Sequence, residues 1–170
     1  VPQTLIVELG TEAQTYYGGW TGMSPNASVL SDPNASDCVV ASPALASLFS
    51  PGLSDGTLLS IRLFRSPPVP IAQEVHVTPV SPDDWEILSV HAGEVEDNML
   101  SQVRAAKQGQ VLAVSVGRSA STVIKFVVDR TVPPTRPLNT DHTDEQVSAS
   151  IAVRLSTDTE VCLLYTSPSP

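Results

Sequence analysis

A chain of 170 residues, 41% of them apolar, is long enough to bury a core as one domain or as two small lobes. Nine basic residues stand against 18 acidic ones for a net charge of -9, and the bases, mostly Arg, are spread singly, which excludes a phosphate-neutralising stripe for nucleic acid. The longest apolar runs, 111–116 and 124–128, fall far short of the roughly 20 residues of a membrane helix.

Residues 4–9 (TLIVEL) alternate and are β-branched, which predicts a first strand; Gly18-Gly19 predicts a turn before Trp20. Residues 24–37 are rich in Ser, Asn, Pro and Asp and read as an exposed loop. That loop carries two glycosylation sequons, Asn26-Ala27-Ser28 and Asn34-Ala35-Ser36, a pattern common by chance in such composition. Cys38-Val39-Val40 predicts a short strand. Ser42-Pro43 then opens a short helix over 44–49 through an N-cap and a first-position proline, with Gly52 ending it. Asp55-Gly56 is a turn, and 57–64 (TLLSIRLF) alternates as another strand until Ser66-Pro67-Pro68-Val69-Pro70 breaks it.

A second lobe begins at Glu74 with EVHVTPV, in which Val75, Val77 and Val80 take the buried face and His76 and Thr78 the other. Ser81-Pro82-Asp83-Asp84 is a helix start: Ser81 caps, Pro82 takes the first position, and the carboxylates face the positive helix end. Trp85, Leu88, Val95, Met99 and Val103 recur at helical spacing over 82–106, with a break at Gly93. Residues 111–116 and 122–128 flank a Gly-Arg-Ser-Ala-Ser turn as a hairpin, 132–144 read as a long loop, and 147–155 as a closing strand.

The tail 162–170, CLLYTSPSP, resembles the in-frame translation of a transposase adaptor used to prepare sequencing libraries, and is excluded from the fold. Its structural alternative is a last strand over 162–165 followed by a Ser-Pro linker. With the tail excluded the native segment ends at Val161 and Cys38 is the only thiol, which rules out an intrachain disulfide and fits a reducing compartment. No charged region and apolar stretch precede Leu5, so no secretory signal is expected, and the native N-terminus is expected to lie upstream.

The acidic trio Asp83, Asp84 and Glu86 lies in one first helical turn, where capping and dipole stabilisation are the expected roles rather than cation binding or acid–base chemistry. His76, His91 and His142 have no Cys companions in sequence and no His-Glu-x-x-His spacing, so no metal site is expected. Trp85 reads as the aromatic anchor of the helix on the second lobe. There is no Gly-x-x-x-x-Gly-Lys-Ser/Thr loop to cradle phosphates, no Gly-x-Ser-x-Gly elbow and no Gly-Ser pair for self-cleavage to a pyruvoyl group.

Residues 79–105, PVSPDDWEILSVHAGEVEDNMLSQVRA, resemble the most characteristic stretch of the N-terminal domain of peroxisome biogenesis factor 1. The resemblance is carried by Ser81, Asp83, Asp84, Trp85, Glu86, Ile87 and Leu88, then His91-Ala92, then Leu100 with Gln102 and Arg104 in matching order. Flanking matches are Gly19-Trp20-Thr21-Gly22-Met23, similar to a fungal segment, and Arg154-Leu155-Ser156-Thr157-Asp158-Thr159, similar to the domain's last strand.

The resemblance implies an α+β, mainly β fold of valosin-type N-domain architecture: a double-psi β-barrel lobe over 1–73 and a smaller β-barrel lobe over 74–161. The first barrel strand is expected to be missing, because too little chain precedes Thr4. It implies a non-catalytic adaptor- and partner-docking domain of a peroxisomal AAA+ ATPase. In the family that ATPase works with peroxisome biogenesis factor 6 (peroxin 6) in a hexamer that exports the ubiquitinated import receptor from the peroxisomal membrane. ATP and magnesium are then expected in downstream modules and no cofactor here. The expected location is the cytosol, peripheral on that membrane, with peroxisomal membrane or adaptor proteins as partners and a weak phosphoinositide contact at most. Alternatives are the N-domain of another valosin-type unfoldase, disfavoured by Asp-Asp-Trp-Glu-Ile-Leu, and a stand-alone double-psi-barrel enzyme.

Overall fold

The computed structural model of the chain describes residues 5–20, 31, 33, 37–64, 69–117, 122–132 and 152–164. In chain order these form β1 (Leu5–Gly10), β2 (Thr15–Trp20), α1 (Pro43–Ala46), β3 (Ser60–Phe64), β4 (Glu74–Pro79), α2 (Pro82–Gln102), β5 (Ala105–Ala106), β6 (Val111–Val116), β7 (Thr122–Val132), β8 (Val153–Arg154) and β9 (Glu160–Leu163). They are mainly strands with two helices, as expected. The strands lie in three open sheets ordered β2-β1-β3, β6-β7-β4-β9 and β5-β8. The closed double-psi and small barrels implied by the resemblance are not formed among the described residues.

In the first sheet β1 is central and antiparallel to both neighbours. Alternation sends Ile6 to one face, where it packs with Tyr17 and Phe64, and Val7 and Leu9 to the other, where they meet Phe49, Tyr16 and Leu45. The turn expected at Gly18-Gly19 is absent: both glycines lie inside β2, opposite Val7 and Ile6. The chain reverses at 11–14 instead, where Thr11 N donates to Gln14 O at 2.8 Å and Gln14 N to Thr11 Oγ1 at 3.0 Å. Gly18 serves packing rather than a bend, since a Cβ there would come 3.0 Å from the Tyr16 ring.

Cys38-Val39-Val40 forms no strand, contrary to expectation, and β3 starts at Ser60, where its partner β1 ends at Gly10, leaving Leu58 outside it at 92% exposure. Ser42 caps α1 by accepting from Leu45 N at 3.2 Å, as the Ser-Pro pair predicts. The helix ends at Ala46, short of the expected Phe49, and Leu48 and Phe49 leave it to be buried. The Asp55-Gly56 turn is present, with Gly56 at φ 83.

The second region holds one continuous core. Val75 and Val77 of β4, Leu112, Val114 and Val116 of β6, and Ile124, Phe126 and Val128 of β7 alternate inward, and Leu88, Val95 and Met99 of α2 lie across them. Val80 does not share this face: it is 50% exposed, because β4 ends at Pro79. A bulge between His76 and Val77 sets Asp129 out of register in β7, where its Oδ2 accepts from Thr78 Oγ1. The helix kinks at His91 (φ -116, ψ 18), two residues before the expected Gly93, and ends at Gln102 rather than near Ala106, which belongs to β5.

The hairpin of β6 and β7 stands as expected, with β7 continuing to Val132. The closing strand is represented by β8, paired with β5; its predicted beginning, the 132–144 loop beyond Val132, and the 118–121 turn lie outside the described residues. Cys162 and Leu163, excluded above as part of the tail, form the second half of β9, which runs parallel to β4. The ladder continues through Leu164 N donating to Val77 O at 2.9 Å, so an apolar Val-Cys-Leu-Leu run is enough to pair with β4.

Candidate functional site

The residues that carry the family resemblance split into buried supports and a surface. Ser81 and Asp84 build a reciprocal capping box: Ser81 Oγ accepts from Asp84 N at 3.1 Å, and Asp84 Oδ2 accepts from Ser81 N at 3.1 Å and Ser81 Oγ at 2.6 Å. The other oxygen, Asp84 Oδ1, accepts from Lys125 N of β7 at 2.8 Å. The carboxylate of a residue only 8% exposed thus accepts three hydrogen bonds, and it ties the helix start to the sheet. Asp83 and Glu86 are exposed on the same turn.

Leu88 is fully buried, while Ile87, Leu100 and Trp85 pack half-buried against the same core. The anchor of α2 is therefore Leu88 with Val95 and Met99, and Trp85 lies at the rim rather than filling the centre, because at the fourth helical position it is turned off the buried line of Asp84, Leu88, Val95 and Met99. His91 sits at the kink, its Nδ1 3.4 Å from Glu94 Oε1. Glu94 Oε2 also accepts from Gly117 N at 2.8 Å, and that bond, with His91, holds the Glu94 carboxyl below the usual range. Arg104 gives its carbonyl to Leu155 N at 2.9 Å. Asp158 is exposed in the turn before β9, and its neighbour Thr159, the last residue of the same flanking match, is buried and donates to Ala72 O at 2.9 Å. Gly22 and His142 lie outside the described residues.

Trp20 and Arg104 come together across a groove of about 750 Å³. One wall is the face of β1 and β2 that bears Val7, Leu9 and Trp20; the other is the 38–48 segment and the end of α2 with β6. No carboxylate lines it among the described residues, although the chain carries -9, and Arg104 is its one cation. The walls are part apolar, from Val7, Leu9, Val40 and Leu45, and part polar, from Ser42, Gln102, Arg104 and Ser115. Arg104 was legible through the motif, but the groove was not, because its walls come from segments far apart in sequence, Val40 on irregular backbone and Leu45 on the short α1 among them.

The histidines need one correction. The parallel register of β4 and β9 places Cys162 opposite His76, and with Glu74 their ligand atoms lie within 4.8 Å of one another. Burial, and then the nearby Glu160 and Glu74 carboxylates, push the Cys162 thiol up, away from the thiolate a metal requires. Arg130 Nη2 lies 3.2 Å from His76 Nε2 and 3.9 Å from Glu74 Oε2, so a guanidinium already holds the place of a cation.

Three sheets, a capped and kinked helix and a groove beside it define a mainly β module. A family model described as "Peroxisome biogenesis factor 1, N-terminal" matches residues 73–164, more than half of the chain. A protein described as peroxisomal ATPase PEX1 from Dictyostelium discoideum is 30% identical over 117 residues, covering 69% of this chain and 9% of its own. One of the same description from Arthrobotrys oligospora is 31% identical over 121 residues, 64% of this chain and 10% of its own. The human one is 38% identical over 55 residues, 32% of this chain and 4% of its own. The chain belongs to the family of peroxisome biogenesis factor 1 N-terminal domains, and it spans about a tenth of the length of the first two relatives.

Proposed function

We propose that this domain is the non-catalytic docking module of a longer peroxisomal AAA+ ATPase. In this reading the ATPase works with peroxin 6 to export the ubiquitinated import receptor from the peroxisomal membrane. The observation that carries it is the family match across α2 and its sheet; the carboxylate-free groove beside α2, part apolar and part polar, supports it as a surface for a partner segment. The valosin-type architecture belongs to the same reading, the outer edge of β3 being where strands that complete a double-psi barrel would add. ATP and magnesium are bound by downstream modules, and the protein works from the cytosol, peripheral on the membrane. Among the described residues no helix is long and apolar enough to cross a membrane. A net charge of -9 opposes an anionic surface and keeps any phosphoinositide contact weak.

Two measurements test this. Isothermal titration of the 170-residue chain with ATP and magnesium is expected to give no heat of binding, and micromolar affinity would contradict it. Deleting the domain from the full-length ATPase is expected to leave hexamer assembly and basal ATP hydrolysis in place and to remove retention on peroxisomal membranes. Lost hydrolysis with unchanged retention would contradict the reading.

A further inference from the structure

Two sheets of this domain end in edge strands, β2 and β6, and each edge meets a glutamine side chain. Gln102, the last residue of α2, accepts from Ser115 N through Oε1 at 2.8 Å and donates to Ser115 O through Nε2 at 2.8 Å. Gln110 treats β2 in the same way: Tyr17 N donates to its Oε1 at 3.1 Å, and its Nε2 donates to Tyr17 O at 2.9 Å. Both bonds of each pair fall on one residue, which is how a hydrogen-bonded pair is made across an antiparallel ladder. A carboxamide presents the donor and acceptor of a peptide unit, and no carboxylate does so. Two residues beyond Ser115, the outward amide of Gly117 is taken by Glu94 Oε2 at 2.8 Å, so α2 covers successive outward positions of β6.

We infer that the carboxamide of Gln102 is a strand substitute that closes the exposed outer edge of β6 against pairing with a second copy of the chain, in the way that the buried Gln110 carboxamide satisfies the edge of β2 inside the fold. An open edge in an alternating apolar strand is a template for such pairing, and β6 (VLAVSV) has that composition and no charge. Helix ends and turns are cheap places to supply a block, since one side chain satisfies two backbone groups without a further strand.

Gln102 is exposed, so Gln102→Met changes the edge without emptying the core. In the 170-residue chain, hydrogen exchange at the Ser115 amide is expected to rise roughly tenfold, with concentration-dependent association in sedimentation velocity and an unchanged circular-dichroism spectrum. Gln102→Glu loses the same donor but leaves a charge on the edge, and is expected to remain in the wild-type association state. Adding Ser115→Pro to Gln102→Met removes the exposed donor and is expected to reverse the association. A Gln102→Met chain that exchanges faster at Ser115 yet associates no more than wild type would overturn the inference, as would association unaffected by Ser115→Pro. If Gln102→Met loses its fold, Gln102→Ser gives the same readings with a side chain too short to reach Ser115.

Discussion

The sheet of β1–β3 and the sheet of β4, β6, β7 and β9 are built on different terms. The second buries one continuous core in which Val75, Val77, Leu88, Met99, Leu112 and Phe126 are each 0% exposed, with a long helix across it. The first divides its burial between two small clusters, one on each face of β1, and leaves Ile61 and Leu63 of β3 at 46% and 42% exposure. Apolar area removed from water scales the stability of each, so the second region is the firm unit and the first leans on it through Gln110 and Tyr17. The family match follows the same line, covering 73–164.

The sharpest way to break this comparison is to empty one aromatic site in each region. Phe126→Ala removes a ring from the centre of the continuous core and is expected to cost about 3 to 5 kcal/mol, enough to unfold α2 and the sheet together in a thermal melt. Phe49→Ala, in the small cluster with Val7 and Leu9, is expected to speed hydrogen exchange in β1 and β2 while α2 and β7 keep wild-type protection. Equal loss of protection in both regions would show a single cooperative unit instead.

Trp85 gives a smaller effect and tests the account of the helix. Half-buried at the rim, it is expected to cost about 1 to 2 kcal/mol on truncation to Ala, below the range for a filled aromatic site, and a chemical-denaturation series measures it. The sequence signal here was helical spacing, which placed Leu88, Val95 and Met99 correctly but could not rank Trp85 against them, since ranking depends on how α2 is rotated over the sheet. The Ser81 to Asp84 box was legible because capping is local chemistry. The turn at Gly18-Gly19 was misplaced because glycine also serves close packing, here against Tyr16, and no local pattern separates the two uses. The groove and the glutamine bridges join residues as far as 93 apart in sequence, which no window along the chain can see.

The smallest expected effect is the pH dependence of the first sheet. Burial, then a hydrogen bond to Glu8, raises the Tyr17 hydroxyl from 10.0 to about 12, and the bond is 2.7 Å long. A raised folded pKa means that the stabilisation is complete below pH 10 and is lost as pH climbs toward about 12. For Glu8 burial acts upward, but the Tyr17 hydroxyl and Arg62 outweigh it and hold the carboxyl below 4.5, so its contribution is present above that pH and fades as acid is added. Glu8→Gln is expected to flatten the acid limb in a melting series, and an acid limb identical to wild type would assign that sensitivity to other groups.

The most direct test of the docking account places a charge in the groove of the full-length ATPase. Val40 is 60% exposed and lines the groove, whereas Val90 is 75% exposed on α2 away from it, so Val40→Glu and Val90→Glu alter similar surface with different consequences. The account predicts that Val40→Glu lowers retention on peroxisomal membranes roughly tenfold or more, with basal ATP hydrolysis and hexamer assembly unchanged, and that Val90→Glu behaves as wild type. Wild-type retention by Val40→Glu, or an equal loss by Val90→Glu, would contradict it.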